Sequence, residues 1–422
     1  MKKLLAGLSV SLVLLAQAKA QEKVDEKNSA KMRSEELEHS QIMQTLHVLT
    51  DRYGPRVTGT PNHEMAARWA IAEMTKWGFK NAHLEPWEFG HPGWLNESAT
   101  ARLVLPVKQN LKFEVIAWTP STQGRVTGST FQIIPPVGPE VPPPAAATAA
   151  ATDAARVAAM AAFGGGRGGP ARLGPTKEEF AKWLAATKDR VRGKVVMVGK
   201  AAVIPVNFDP PMKRQPDERV KAQYDPANPN GGRGGGRGGA PTPDPTRVSA
   251  NEIAEQIDAM LAANGALARV NDAARGEGII VAVQHRGYDV ATAVPTIVVR
   301  NDDFGRMERL MADGDEVKVE LDIANHIYPE GKTSYNAIAE IPGSDKADEV
   351  VMLGGHLDSV PNGRWLDGCR GVLGASETLR QSAKSTSVAP PATVRLVDWA
   401  DEEGARFALG YLVVGVCRDA FD

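Results

Sequence analysis

The run Val350-Val351-Met352-Leu353 is apolar at every position, and it limits the possible folds more than any other feature of the chain. A strand with one wet face alternates, whereas a run without alternation is buried on both faces, as in the middle of a covered α/β sheet. A second apolar strand is predicted over residues 394–399, with a helix over residues 372–380 between the two. The interval is one α/β crossover long, which fits a mixed, largely parallel sheet with helices on both faces.

Chemistry-bearing residues stand where these elements end. Gly354-Gly355-His356-Leu357-Asp358-Ser359 follows the first strand. Side chains alternate along a strand, so His356 and Asp358 share a face, and Asp358 can accept a hydrogen bond from the imidazole or support it from alongside. A histidine held in this way is a prepared zinc ligand, at the strand end where ligands collect in such sheets. Asp367, in Trp365-Leu366-Asp367-Gly368, comes just before the helix, where a carboxylate can bridge two metals. After the second strand, Asp401-Glu402-Glu403-Gly404 offers adjacent carboxylates, one able to bind metal while the other takes a proton from the attacking water. A single His is usually structural and a Glu pair usually a solvated helix start. The order of the three elements is what points to a metal site.

Residues 1–20 carry Lys2 and Lys3, an apolar run over 4–15, and Ala18-Lys19-Ala20 as a small-x-small cleavage site. This is the pattern of a secretory signal peptide cut before Gln21, and its apolar run is shorter than the roughly 20 residues that span a bilayer. The expected location is therefore exported, periplasmic or secreted, with no membrane span after cleavage. Cys369 and Cys417 are the only cysteines, so no disulfide framework is expected. With 49 Lys+Arg against 51 Asp+Glu there is no global field for nucleic acid. The Arg-Gly run from Gly231 to Arg237 lacks the interleaved aromatics of an RNA-binding segment.

Upstream, an amphipathic helix is predicted over 34–49. A turn-rich stretch from Tyr53 to Gly59 follows, then a helix capped by Thr60, opened by Pro61 and ended by Gly78. Its face of Met65, Trp69, Ala72 and Met74 reads as core. Strands are expected over 101–105, 113–118, 130–134, 194–198, 278–283, 296–299 and 316–323, with helices over 250–263 and 304–311. Residues 335–341 and 349–353 read as a hairpin-like return about Pro342-Gly343-Ser344-Asp345. Tracts 135–175 and 226–246, dominated by Pro, Ala and Gly, read as flexible surface insertions. The expected organisation is a signal peptide over 1–20, a first part of the catalytic unit over 21–120, an interrupting unit over 121–328, and the remainder over 329–422.

Tyr53-Gly54-Pro55-Arg56-Val57-Thr58-Gly59, Ala117-Trp118-Thr119-Pro120 and the run from Tyr335 to Gly343 resemble the carboxypeptidase Q-like zinc peptidases of the cocatalytic zinc exopeptidase superfamily. From Val360 to Phe407 the chain looks more like the N-carbamoyl-amino-acid and allantoate amidohydrolases. The resemblance implies a zinc-peptidase-like α/β fold interrupted by a smaller protease-associated-like domain. It also implies two Zn2+ ions per site, with His356 as ligand, Asp367 as bridge, Glu402 as base, Glu403 as ligand and Asp358 in support. The implied substrate is a short peptide, and a homodimer is left open. Amidohydrolase activity, and a non-catalytic chain whose interrupting unit binds peptides, stand as alternatives. Both families draw further ligands, including another His, from beyond the Glu pair. The expectation is thus a chain that ends before its site is complete, unless His63, His326 or a second subunit contributes.

Overall fold

The computed structural model describes residues 26–140, 172–205, 244–282, 287–359, 369–385, 389–399 and 415–417. The signal-peptide expectation, most of both Gly/Pro/Ala tracts, and Asp367, Glu402 and Glu403 lie outside them. Among the described residues no helix is long and apolar enough to cross a membrane.

The chain opens with α1 (Glu26–His39) and α2 (Ile42–His47), which passes through a wider turn at Val48–Arg52. The single helix expected over 34–49 is thus two, parted at Ser40 and Gln41. α3 (Pro61–Lys76) begins as predicted, with the Thr60 hydroxyl accepting from the His63 amide, and Gly78 follows at φ +95°. Its buried stripe differs from the expected one: His63, Ala66, Ala67, Ala70 and Met74 face inward, while Met65 is 48 % exposed. The alanines explain the difference. They let the helix approach Ala337 and Ala339 of the sheet closely, and the bulkier side chains move to the rim.

β1 (Lys80–Glu88) is followed by β2 (Gly93–Leu105), β3 (Gln109–Asn110), β4 (Phe113–Val115) and β5 (Val126–Ile133). Next come α4 (Lys177–Thr187), β6 (Val195–Val198), α5 (Ala250–Ala263) and β7 (Ala268–Asp272). β8 (Thr296–Val299), α6 (Asn301–Ala312) and β9 (Lys318–Tyr328) complete this stretch. Of the strand expected over 278–283, the described residues 278–282 form no more than a bridge at Ala282. β7 takes its place because Ala268 and Val270 are fully buried, whereas Ile279 is half exposed. β1, β7 and α4 have no counterpart in the sequence expectation.

β10 (Thr333–Ile341), β11 (Lys346–His356), α7 (Cys369–Ser385), β12 (Ala392–Trp399) and β13 (Gly415–Cys417) bring the chain back to the first sheet. That sheet runs β1-β10-β12-β11-β13, and the second runs β3-β2-β9-β5-β6-β7-β8-β4. The hairpin-like return expected between β10 and β11 does not form, because β12 lies between them, antiparallel to β10 and parallel to β11. The turn explains how it fits. The Ser344 amide donates to the Pro390 carbonyl at 2.8 Å and the Gly343 amide to the Thr393 hydroxyl at 3.1 Å, so the turn grips the start of β12 rather than closing on itself.

β1 pairs with β10 as far as Glu88 and Thr333, and β2 pairs with β9 from Gly93 and Tyr328. The chain therefore leaves and re-enters the first sheet at hydrogen-bonded neighbours, and β2 to β4, which the sequence expectation grouped with residues 21–120, pair in the second sheet. Three backbones meet at this doorway. A Cβ on Gly93 would come within 1.9 Å of the Gly59 carbonyl, and one on Gly331 within 2.1 Å of the same oxygen. Helix cover of the first sheet, among the described residues, is on one face: Leu49, Ala66, Ala70, Leu373 and Leu379 pack on Ala337, Ala339 and Leu396. In the second sheet Val195 and Met197 pack with Phe304 of α6, and Val196 packs with Ile257 and Leu261 of α5, so both faces are covered.

Gly93→Ala should lower unfolding stability by at least about 2 kcal/mol, since a methyl group against backbone cannot be relieved by a rotamer change. Gly374→Ala, where a Cβ on α7 meets nothing, should be neutral or stabilising by roughly 0.5–1 kcal/mol. Urea denaturation of the two variants beside the parent chain measures both.

Candidate metal centre

β11 and β12 run parallel, and His356 stands opposite Trp399 at their carboxyl ends. Alternation puts His356 on the same side as Met352, away from the helices, while Leu357 turns into the helix-covered core. The imidazole is mostly buried. Its Nδ1 lies 3.1 Å from the Asp358 carbonyl oxygen and 3.4 Å from Asp358 Oδ1. Asp358 is 2 % exposed. This geometry puts the ring proton on Nδ1 and makes Nε2 the nitrogen a metal would take, the arrangement in which an acceptor fixes the tautomer of a ligating histidine.

The loop carrying this pair is held by the turn-rich stretch near the N-terminus. Arg56 is fully buried. Its Nε donates to the Leu357 carbonyl at 2.8 Å, and its Nη1 donates to the carbonyls of Leu49 (2.8 Å) and Gly54 (2.9 Å). The Arg56 main chain also clasps Ser359, its amide donating to Ser359 Oγ at 3.0 Å and its carbonyl accepting from the Ser359 amide at 3.1 Å. Sequence reasoning quoted Arg56 only as part of a motif. A charged residue in a Gly-Pro turn reads as solvated, and nothing in a pattern of polarity reveals that it is buried.

His63, on the first turn of α3, is 1 % exposed. Its Nδ1 faces Ser334 Oγ at 3.5 Å, and its Nε2 finds no partner among the described residues. Burial pushes its pKa down to about 4; the Asp358 carboxylate opposes the shift and the Arg56 cation adds to it. His63 is therefore neutral at pH 7. Asp398, on β12, is buried on the helix side against a cavity of about 10 Å³ shared with Thr45, Trp69, Leu357 and Ser376. Desolvation pushes it up to about 8, so it too is neutral at pH 7. His326, the other histidine considered for the site, is on β9 of the second sheet, half exposed and 3.6 Å from Glu97.

His356 with Asp358 fits as a first metal ligand and its support. Among the described residues no group of three His, Cys, Asp or Glu converges to hold an ion. Asp367, Glu402 and Glu403 lie outside those residues.

The described part of the site is thus a supported histidine at the carboxyl end of a parallel-paired strand in an α/β sheet. Residues 336–412 match the family described as Peptidase family M28. Carboxypeptidase Q of Rattus norvegicus is 36 % identical over 116 residues, 27 % of this chain and 24 % of that protein. The allantoate amidohydrolase of Bacillus subtilis is 41 % identical over 76 residues, 18 % of each chain. The chain thus spans about a quarter or less of the length of these curated relatives. The crystal structure of a Peptidase M28 precursor from Shewanella amazonensis shares the fold with a TM-score of 0.53 at 20 % identity, over 89 % of this chain and 67 % of that one. Over residues 336–412 the chain resembles the metallopeptidases of this family, and the likeness to the solved structure is one of fold.

The depressed pKa of His63 has a measurable consequence. Because the folded value is about 4 against 6.5 for the free side chain, the unfolded chain binds the proton first as pH falls. Stability is complete above pH 6.5 and is lost progressively towards pH 4. His63→Leu should remove up to about 2 kcal/mol of the difference between pH 7 and pH 5, read from denaturation midpoints at each pH.

Proposed function

We propose that this chain is an exported zinc metallo-exopeptidase acting on short peptides, with a metal centre that His356 opens. The observation that carries the reading is the His356–Asp358 pair at the carboxyl end of β11, inside the segment that matches the peptidase family. In this reading His356, Asp367 and Glu403 would hold the zinc, Asp367 as the shared ligand. Zinc there would supply Lewis-acid polarisation of the scissile carbonyl and of the attacking water. Asp358 holds the His356 ring in one tautomer and orientation. Glu402 takes the proton of the water and returns it to the leaving amine, which needs an ionised carboxylate that is not itself spent on coordination. The signal-peptide pattern of residues 1–20 supports export, and the second sheet is read as a protease-associated-like unit that presents peptides.

A second reading is favoured by a specific finding. The 41 % identity to an allantoate amidohydrolase, over a segment of only 76 residues, supports hydrolysis of a carbamoyl or amidino nitrogen compound on the same ligands.

The two readings separate on substrate. Unblocked dipeptides and N-carbamoyl amino acids, offered to the zinc-loaded chain, should be distinguished by which one is hydrolysed. His356→Ala should abolish zinc binding in equilibrium dialysis. Glu402→Gln should keep the metal while lowering turnover by about 10²–10⁴-fold. Zinc retained by His356→Ala at the level of the parent chain would overturn the ligand assignment.

A further inference from the structure

A fully buried guanidinium is costly to keep unless its donors are met, and Arg56 meets them in an unusual place. Leu49 lies in the wider turn that follows α2, Gly54 belongs to the turn-rich stretch after it, and Leu357 lies between His356 and Asp358. One planar group thus ties together three main-chain carbonyls, one of them in the loop that carries the candidate ligand. The Arg56 main chain adds a clasp on the far side of Asp358, through the hydroxyl and the amide of Ser359. The loop is therefore gripped at Leu357 and at Ser359, and Asp358 is the residue between the two grips.

We propose that Arg56 is a positioning residue for the metal centre: it fixes the path of residues 357–359, so that Asp358 holds the His356 imidazole in the tautomer and orientation that present Nε2 to a metal. Arg56 itself touches neither metal nor substrate. The proposal rests on the reading of His356 as a ligand, and it requires the fork rather than the charge. A lysine ammonium is a single point at the end of a flexible stem and cannot span carbonyls of Leu49, Gly54 and Leu357 together. Loss of outer-shell support of this kind typically weakens metal affinity by about 10–100-fold.

The test uses the full chain and two readouts. Cobalt(II) titration followed by visible absorption gives the affinity at the site. Long-range nitrogen–proton correlation spectra of the histidine rings, recorded without metal, give the tautomer of His356. Arg56→Lys should weaken cobalt binding by about 10-fold or more and turn a single Nδ1-protonated signal into a mixture of tautomers. Leu261→Ala, a core truncation on α5 beneath the second sheet, should lower thermal stability yet leave both readouts as in the parent chain, which separates positioning from general destabilisation. If Arg56→Lys does not fold, Ser359→Ala removes the hydroxyl that accepts from the Arg56 amide, and it should shift both readouts in the same direction by less. A parent chain that binds no cobalt would sink the ligand reading, while the tautomer comparison would still decide the role of Arg56. An Arg56→Lys protein, or failing that a Ser359→Ala protein, with the tautomer population of the parent chain would overturn the proposal.

Discussion

A guanidinium that never reaches water joins two loops 301 residues apart in sequence, and the candidate centre depends on that junction. Arg56 comes before the first sheet is begun, whereas Leu357 follows its third strand in chain order. Strand pairing alone brings β11 to its place and leaves the residues beyond it without a ladder. What gives the exit loop a path is the set of hydrogen bonds from Arg56, and that path lets a buried Asp358 lie against Nδ1 of His356. Two buried titratable groups lie near this loop. His63 stays unprotonated and Asp398 stays protonated near pH 7, each because burial opposes its charged form.

The same stretch of chain meets the second sheet. Gly59, three residues beyond Arg56, packs its carbonyl against Gly93 and Gly331, where the chain enters and leaves the second sheet. No side chain can occupy that contact. The loop from Tyr53 to Gly59 is thus fixed on one side by the exit loop of β11 and on the other by the doorway between the sheets, which explains how a turn rich in Gly and Pro can hold one conformation.

Much of the scaffold was legible because it obeys local rules. Thr60, Pro61 and Gly78 mark α3 through capping chemistry and backbone freedom, and the apolar run at 350–353 marks β11 because four successive apolar residues favour a strand inside a sheet. The His356–Asp358 pair was readable from a two-residue period. Features set by distant contacts were not readable. Turn residues Gly343 and Ser344 look like a hairpin until their partners at residues 390–393 are known. Met65 and Trp69 look like core until the alanine stripe beside them is seen to dock. Arg56 looks solvated for the same reason, since its burial is created by Leu49, Gly54 and Leu357, which no local window contains.

The central claim is that His356, oriented by Asp358, is the first ligand of a metal centre at the carboxyl end of β11. Diffraction data collected at the zinc absorption edge, from crystals of this chain grown with zinc, test it most directly. The account predicts an anomalous peak about 2.0–2.1 Å from Nε2 of His356. Zinc found only at other histidines, such as exposed His83 or His326, with none at His356, would contradict it.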